Sequence, residues 1–339
     1  MGETVLVTGG TGFVAGWQIV EMLRRGYAVR ATVRSLATGD TVRAAVATEV
    51  DPGDRLTFVE ADLTRDAGWA EAVAGCDYVL HVASPLGGGA NDDDEALIPP
   101  ARDGTLRVLR AAVDAGVKRV VMTSSTAACA AKLQGPNSHN DETVWTDLGD
   151  KDSTAYRRSK VVAERAAWDF MAEHGGRTAF ATVLPSAIFG PVLSTETLGS
   201  VRVILRLFNG QMPGAPRVGF SVVDVRDLAD AQARAMTDPA AAGQRFIACG
   251  EFQWMVDIAK TLKAELGPDG AKAATRTIPD VAVRLAALKD RGLRGIIPTL
   301  GRKHAFNSAK AQAVLGWRPR PARETVVDCA RSLIAHGAA

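Results

Sequence analysis

Short apolar runs recur along the first half of the chain, and they are apolar at nearly every position instead of alternating with polar residues. Strands that are covered on both faces in a parallel sheet have this pattern. The runs therefore predict strands of such a sheet at Thr4–Gly9, Ala28–Val33, Leu56–Ala61, Tyr78–Ala83, Arg119–Ser124 and Thr178–Leu184.

Segments in which apolar residues have helical spacing lie between these runs. Gly26 and Gly116 follow two of the segments, at the place where a glycine commonly ends a helix. This alternation of strands and helices favours an α/β fold of the Rossmann type, with a doubly wound parallel sheet and right-handed crossovers. The predicted helices span Phe13–Arg25, Asp66–Ala74, Pro100–Ala115 and Tyr156–Ala172.

The character of the chain changes after Pro191, and proline and glycine cluster at residues 209–219. We expect a dinucleotide-binding domain over residues 1–190 and a smaller, mostly helical substrate-binding lobe over residues 191–339. The boundary stays open, because residues 220–250 contain a helix and a strand that could return to the sheet. The elements predicted in this half are helices at Val225–Met236, Trp254–Leu266 and Glu324–His336 and a strand at Arg245–Gly250.

Composition and charge narrow the class of protein. The 339 residues are 47% hydrophobic and 23% charged, and the net charge is +2 without a long basic run, so we expect neither nucleic acid nor a membrane surface as a partner. The chain begins almost directly with a strand and has no apolar run long enough to span a bilayer. The four cysteines are far apart and lack metal-ligand spacing. We expect a cytoplasmic protein without a structural metal.

The first predicted strand ends in a glycine-rich turn that leads into the first predicted helix. From Gly10 the sequence is Gly-x-Gly-x-x-Ala, which at this position is typical of dinucleotide binding. Gly9, Gly10 and Gly12 allow a tight turn and a close approach of the backbone to a pyrophosphate. The helix start at Phe13 and Val14 then offers free N–H groups and the positive end of the helix dipole to the phosphates.

The end of the second predicted strand indicates which dinucleotide binds. An acid at this place binds the ribose 2′-hydroxyl of NAD, but the chain has Arg34 and no acid before Asp40. A guanidinium suits the 2′-phosphate of NADP, and Arg43 is a candidate for a second contact. Asp62 follows the third strand and is expected at the adenine edge. These residues favour NADP over NAD.

Tyr156 and Lys160 lie four residues apart in a predicted helix and therefore share one face. A lysine ammonium beside a phenol favours the phenolate, which lowers the pKa of the phenol and suits general acid catalysis. The fifth predicted strand ends in MTSS, so a serine is expected at the same edge of the sheet. A hydroxyl, a phenol and an ammonium beside a nicotinamide form a site that reduces a carbonyl group.

Several segments together resemble the extended short-chain dehydrogenase/reductases: TGGTGFVA, HVASP, MTSS, YRRSK and LPSAIFGP. VRATVR, HVASP and DETVWTDL most resemble the dihydroflavonol-4-reductase and cinnamoyl-CoA-reductase group, which includes microbial aldehyde and ketone reductases. The resemblance implies NADPH as cofactor, with Ser125 binding the carbonyl oxygen, Tyr156 donating the proton and Lys160 holding the ribose. Further cofactor contacts are expected from Leu63, Ala83, Pro185 and Ile188.

The chain departs from the plant enzymes of this group at the expected substrate pocket. Ala130 stands where the flavonoid reductases have an asparagine for substrate hydroxyls, and STAYRRSK replaces the signature of the cinnamoyl-CoA branch. We therefore expect an apolar pocket, which suits a hydrophobic aldehyde or ketone. Candidates for its lining are Pro85, Leu86, Phe189 and Leu205, together with Val192, Leu193 and Met212.

Three classes of function stay open, and an NADPH-dependent carbonyl reductase with a small-molecule substrate is favoured. A nucleotide-sugar epimerase or dehydratase on the same fold would retain NAD, and Arg34 argues against that. A non-catalytic, NADP-binding regulatory protein would typically lack the tyrosine or the lysine. The expected state is a monomer or a homodimer, and in a dimer the helices Pro100–Ala115 and Tyr156–Ala172 would pair.

Overall fold

A seven-stranded parallel sheet forms the centre of the computed structural model, which describes residues 2–85, 95–133 and 135–338. The strands in chain order are β1 (Thr4–Val7), β2 (Ala28–Val33), β3 (Leu56–Glu60), β4 (Tyr78–His81), β5 (Arg119–Thr123), β6 (Ser138–Asn140), β7 (Ala179–Pro185), β8 (Ala187–Phe189), β9 (Ala215–Pro216), β10 (Gly219–Asp224), β11 (Gln244–Ala248), β12 (Phe252–Trp254), β13 (Thr277–Ile278) and β14 (His304–Phe306). The α-helices are α1 (Phe13–Arg24), α2 (Gly39–Ala47), α3 (Trp69–Val73), α4 (Ile98–Asp114), α5 (Ala155–His174), α6 (Arg202–Phe208), α7 (Val225–Thr237), α8 (Met255–Glu265), α9 (Asp280–Lys289), α10 (Ala309–Leu315) and α11 (Ala322–Ala335).

The strand order of the large sheet is β11-β7-β5-β4-β1-β2-β3, and all of its pairs are parallel. The order reverses its direction between β1 and β4. In open α/β sheets, such a reversal leaves a crevice at the carboxyl ends of the strands, where ligands bind. The topology confirms the predicted doubly wound α/β fold.

Both faces of the large sheet are buried, which explains the apolar runs. In β1, the side chains of Val5 and Val7 belong to one core cluster with α1 and α7, and that of Leu6 belongs to another with α4 and α5. Successive residues of a strand point to opposite faces, so a sheet covered on both sides needs apolar residues at each position. The helices α4 and α5 cover this second face by packing against each other within the chain.

Glycines with positive φ determine where several helices end or begin. Gly26 (φ +89°) and Gly116 (φ +67°) follow α1 and α4, which confirms the predicted helix ends. Gly68 (φ +90°) has its backbone so close to Glu60 that a Cβ would lie 2.2 Å from the carbonyl oxygen of Glu60. The helix predicted from Asp66 therefore begins only at Trp69. The sequence pattern missed α2, whose buried residues are few: Gly39, Val42 and Val46.

The second half of the chain contributes to two different cores. Helices α6, α8 and α11 share a cluster with β8 and β10, whereas α7, β11 and α10 pack with the large sheet. Trp317 anchors the return of these three elements to the large sheet. It is fully buried, and its Nε1 donates to the carbonyl oxygen of Asp227 (2.8 Å). The division of the chain at residue 190 stays a prediction.

Within the described ranges, no helix combines the length and the apolar character that crossing a bilayer requires. The same ranges contain no group of three or more His, Cys, Asp or Glu side chains placed to hold a metal ion.

Replacing Trp317 with alanine should lower the free energy of unfolding by about 3–5 kcal/mol, because it opens a cavity in the core and removes the indole hydrogen bond to the Asp227 carbonyl. Urea unfolding followed by circular dichroism measures the loss. Leu288→Ala, at a residue that is 72% exposed, is the control and should change stability by no more than about 0.5 kcal/mol. Equal effects of the two variants would show that Trp317 does not anchor the return.

Candidate active site

The turn between β1 and α1 is held tightly against its neighbours. Gly9 has a φ of +76°, and its N–H donates to Thr32 Oγ1 (2.8 Å). The N–H of Gly10 donates to the carbonyl oxygen of Thr32 (2.7 Å). A Cβ on Gly9 would lie 3.0 Å from the Cβ of Ala83, so both the backbone angle and the space require glycine.

The start of α1 has backbone donors without partners. The N–H of Gly12 donates to the carbonyl oxygen of Gly9 (2.9 Å), but no described residue accepts from the N–H groups of Thr11, Phe13 or Val14. The first turn of α1 contains no acidic residue that would compete for them. Free donors at the positive end of a helix form an anion site, so this part of the turn fits a pyrophosphate.

A cleft extends from the glycine turn along α2, and residues 191–197 form its other wall. Thr197 Oγ1 donates to the carbonyl oxygen of Thr11 (2.9 Å), and Trp17 Nε1 donates to that of Pro191 (2.7 Å). These bonds hold the segment over the start of α1, although the sequence pattern did not predict it there. The cleft is lined by Gly10, Thr11, Gly12, Phe13, Gly16, Thr38, Thr41, Val42, Ala45, Val46, Leu193, Ser194, Glu196 and Thr197.

Arg34 and Asp62 lie at the ends of neighbouring strands, β2 and β3. The pKa of Asp62 is lowered, first by the backbone and hydroxyl donors of Thr64 (2.8 and 2.7 Å) and to a smaller extent by Arg65 and Arg34. Asp62 is therefore an ionised acceptor at this edge, and Arg34 is an exposed cation near it. The structure thus places both residues at the edge where the sequence predicted them.

Arg43 is engaged elsewhere. Its guanidinium donates to the carbonyl oxygens of Gly53 (2.8 Å) and Leu56, and it stacks over the ring of Phe58. These contacts hold the loop before β3 against α2. A contact from Arg43 to a 2′-phosphate would have to break them, so Arg34 is the better candidate.

Ser125, Tyr156 and Lys160 come together where β5 ends and α5 begins. The hydroxyl oxygens of Ser125 and Tyr156 are 3.4 Å apart, and Lys160 Nζ lies 5.8 Å from the centre of the Tyr156 ring. Ser125 Oγ also accepts from the N–H of Ala127 (3.1 Å), which orients the hydroxyl. Tyr156 is 37% exposed, whereas Ser125 and Lys160 are 8% and 6% exposed. Solvent can therefore reach Tyr156, whereas Ser125 and Lys160 are almost fully buried.

Apart from the ring of Tyr156, Lys160 has no partner among the described residues. A buried ammonium without an acceptor costs free energy, and bound ligands often supply the missing partner. Its neighbour His81 does not fill that role, because both of its ring nitrogens are bonded to threonine hydroxyls. Burial, assisted by the charge of Lys160, lowers the pKa of His81 to about 3. His81 is therefore neutral at physiological pH.

A hydrogen-bonded chain through His81 supports the back of the glycine turn. Thr8 Oγ1 accepts from the N–H groups of Val82 (3.0 Å) and Ala83 (2.9 Å), so its own proton points to His81 Nδ1 (3.0 Å). The network therefore assigns the imidazole proton to Nε2, which donates to Thr105 Oγ1 (3.3 Å). The chain joins β1, β4 and α4. Sequence reasoning did not single out Thr8 or His81, although each stands at the end of its strand.

The apolar residues expected in the substrate pocket have different environments. Phe189 and Val192 are 1% and 3% exposed, so burial leaves their side chains no surface for a ligand and they belong to the core. Leu193 lines the cleft beside the glycine turn. Leu86 lies outside the described residues. The candidates that remain half-buried are Pro85, Leu205 and Met212.

The remaining expected cofactor contacts lie along the carboxyl edge of the large sheet. Pro185 is the last residue of β7 and is buried, whereas Ile188 in β8 is half-buried. Leu63 follows β3 and packs against α4, where a Cβ on Gly104 would lie 2.7 Å from the Cβ of Leu63. Ala83 faces Gly9 across the glycine turn.

Comparison with known proteins identifies the family. Residues 5–250 match the NAD dependent epimerase/dehydratase family, and the chain belongs to it, which confirms the resemblance to the extended short-chain dehydrogenase/reductases. A cinnamoyl-CoA reductase of Medicago truncatula is 36% identical over 250 residues (72% of this chain, 75% of that protein). A dihydroflavonol 4-reductase of Zea mays is 33% identical over 249 residues (71% and 68%). The structure of Gre2 from Candida albicans in complex with NADPH superposes with a TM-score of 0.80 at 26% identity (98% and 99%).

His81 should make stability depend on pH. The folded chain has a pKa of about 3 for this group against 6.5 for a free histidine, so unfolding takes up a proton between these values. The stability that neutral His81 contributes is complete above pH 6.5 and is lost as the pH falls toward 3. In His81→Asn, which keeps an acceptor for Thr8 but does not titrate, urea unfolding should lose less stability between pH 7 and pH 4.5 than in the wild type. The exposed His139 provides the control, and His139→Asn should follow the wild-type profile. Parallel profiles for all three proteins would contradict the assignment.

Proposed function

We propose that this member of the NAD dependent epimerase/dehydratase family is an NADPH-dependent reductase of hydrophobic aldehydes or ketones. The observation that carries the proposal is the group formed by Ser125, Tyr156 and Lys160, at the same sheet edge as a glycine turn with free N–H donors. Two relatives that bear the name reductase, and the NADPH in the Candida albicans structure, support it.

The chain offers contacts along the length of the cofactor. Bound NADPH supplies a hydride to the substrate carbon. The free N–H groups of residues 11, 13 and 14 suit its pyrophosphate, and Arg34 suits its 2′-phosphate. Lys160 suits the ribose hydroxyls. Contacts to the adenine are proposed for Asp62 and Leu63, and contacts near the nicotinamide for Ala83, Pro185 and Ile188.

The proposed chemistry divides the work among three side chains. Because the hydroxyls of Ser125 and Tyr156 are 3.4 Å apart, one carbonyl oxygen fits within about 2.8 Å of both. Ser125 donates a hydrogen bond to that oxygen, and Tyr156 transfers its proton to it as the alcohol forms. The ammonium of Lys160 stabilises the phenolate that remains. Water then returns the proton, since the phenol is partly exposed.

A hydrophobic substrate is proposed from the residues that are expected to line the pocket. Ala130 is 5% exposed, and its N–H is already bonded to Thr146 Oγ1 (2.9 Å), so it presents nothing that recognises a substrate hydroxyl. We propose that the half-buried apolar side chains of Pro85, Leu205 and Met212 line the pocket. Such a lining favours compact apolar carbonyl compounds over polyhydroxylated ones.

Tyr156→Phe should lower kcat/KM for carbonyl reduction by about 10³-fold, because it removes the proton donor and keeps the ring. Consumption of NADPH against a panel of hydrophobic aldehydes, α-diketones and β-ketoesters measures this. Tyr78→Phe is the matched control, since Tyr78 lies at the opposite end of β4 with its hydroxyl bonded to Glu3, and its activity should stay within twofold. If NADPH binds but no member of the panel is reduced, the proposed substrate class is wrong. Purification with firmly bound NAD would instead favour an epimerase or dehydratase.

Arg34→Ala should lower kcat/KM with NADPH by about 10- to 100-fold and leave kcat/KM with NADH within twofold, because only NADPH carries the 2′-phosphate. Initial rates with both cofactors measure the ratio. Arg43→Ala is the control: it loses the bonds to Gly53 and Leu56 and should reduce stability without changing the ratio. An unchanged ratio in Arg34→Ala would remove Arg34 from the cofactor site.

A further inference from the structure

Glu164 is a fully buried carboxylate on the same face of α5 as Tyr156 and Lys160. It follows Lys160 by one helical turn and Tyr156 by two, and it is 0% exposed. Its charge is balanced by Arg245 of β11, whose Nε lies 2.9 Å from Oε1 and whose Nη2 lies 3.3 Å from Oε2. A buried ion pair contributes little net stability, because both charges lose their hydration. Its value to the protein therefore lies in the geometry that it fixes.

The same carboxylate receives the side chain of Ser124. Ser124 Oγ donates to Glu164 Oε2 at 2.6 Å, and the residue is 2% exposed. Its backbone is held separately, because its N–H donates to the carbonyl oxygen of Val183 (2.8 Å). The hydroxyl of Ser124 is therefore free to fix α5 in place, while the sheet fixes the strand end.

Ser124 and Ser125 connect the end of β5 to α5 in two directions. The backbone at Ser125 is extended (φ −162°, ψ 151°), so neighbouring side chains point to opposite sides. Ser124 reaches Glu164 in the third turn of the helix, and Ser125 reaches Tyr156 in the first turn. The first turn of a helix is held by fewer backbone bonds than its interior, so the position of Tyr156 depends on where the following turns are fixed.

We infer that Ser124 and Glu164 are positioning residues for the reaction, and that their hydrogen bond sets the distance between the Ser125 hydroxyl and the Tyr156 phenol. The inference rests on the proposed function, because it assigns these residues a part in the same site. A displacement of about 1 Å between reacting groups lowers rates by up to about 10²-fold. Loss of a single bond to the carboxylate should therefore affect turnover more than it affects cofactor binding.

Thr182 provides a matched comparison. Thr182 Oγ1 donates to Glu164 Oε1 at 2.9 Å from within β7 and is fully buried. Thr182→Val and Ser124→Ala each remove one buried hydroxyl from the same carboxylate, but only Ser124 adjoins Ser125. Replacing Glu164 itself would leave Arg245 buried without a counter-charge and could prevent folding, so the two hydroxyl variants carry the test.

We expect Ser124→Ala to lower kcat by about 10- to 100-fold while KM and the Kd for NADPH stay within twofold. Thr182→Val should keep kcat within twofold, although it should lower the melting temperature by about as much as Ser124→Ala does. A kcat that falls equally in both variants, or in neither, would show that Ser124 has only a structural role.

A second measurement needs no substrate. The chain has three tyrosines, so labelling with [13Cζ]tyrosine gives three signals, and Tyr156→Phe identifies the one from Tyr156. Ser124→Ala should shift the Tyr156 signal and leave those of Tyr27 and Tyr78 unchanged, whereas Thr182→Val should shift none. If the wild type reduces no carbonyl compound, the proposed function fails while the signals still decide the positioning role. A Tyr156 signal that is unchanged in Ser124→Ala, or equally shifted in both variants, would overturn the inference.

Discussion

The parallel alignment of β1 with β2 on one side and β4 on the other is the constraint on which the site depends. It brings three strand ends to one edge, so that Thr8 and Thr32 hold the glycine turn from two sides. Because the N–H groups of Gly9 and Gly10 are used in this way, the donors that stay free belong to Thr11 and the start of α1. The same alignment continues through β5 and β7, and it carries the strand end with its serines to this edge.

The buried ionisable groups around β5 differ in how their charges are balanced. Glu164 is paired with Arg245, whereas His81 stays neutral because burial and the nearby ammonium lower its pKa. Lys160 alone among these four keeps a charge without a charged partner in the part of the chain that the structure describes. A cation that lacks a charged partner, among neighbours that are paired or neutral, is typical of a ligand-binding site.

Sequence patterns predicted the large sheet and the glycine turn well, because continuous apolar strands and a glycine turn have few alternative explanations. They missed α2 and β8, where few positions are buried and periodicity has little to act on. They also did not distinguish core residues from pocket residues. A phenylalanine such as Phe189 suits both environments, and only the packing shows that it is buried. The supporting contacts of Thr8 and His81 join strands 73 residues apart, a distance over which local patterns carry no information.

The serine pair after β5 shows why residue type and spacing describe only half of such a site. Glu164 has the same helical spacing as the tyrosine and the lysine, yet a carboxylate on a helix face is usually exposed to solvent. Its burial depends on Arg245, which is 81 residues away in the chain. With that pair formed, the strand end has two partners on one helix, since Ser124 bonds to Glu164 and Ser125 bonds to Tyr156. The proposed site therefore extends past its reacting groups to the ion pair that fixes their helix.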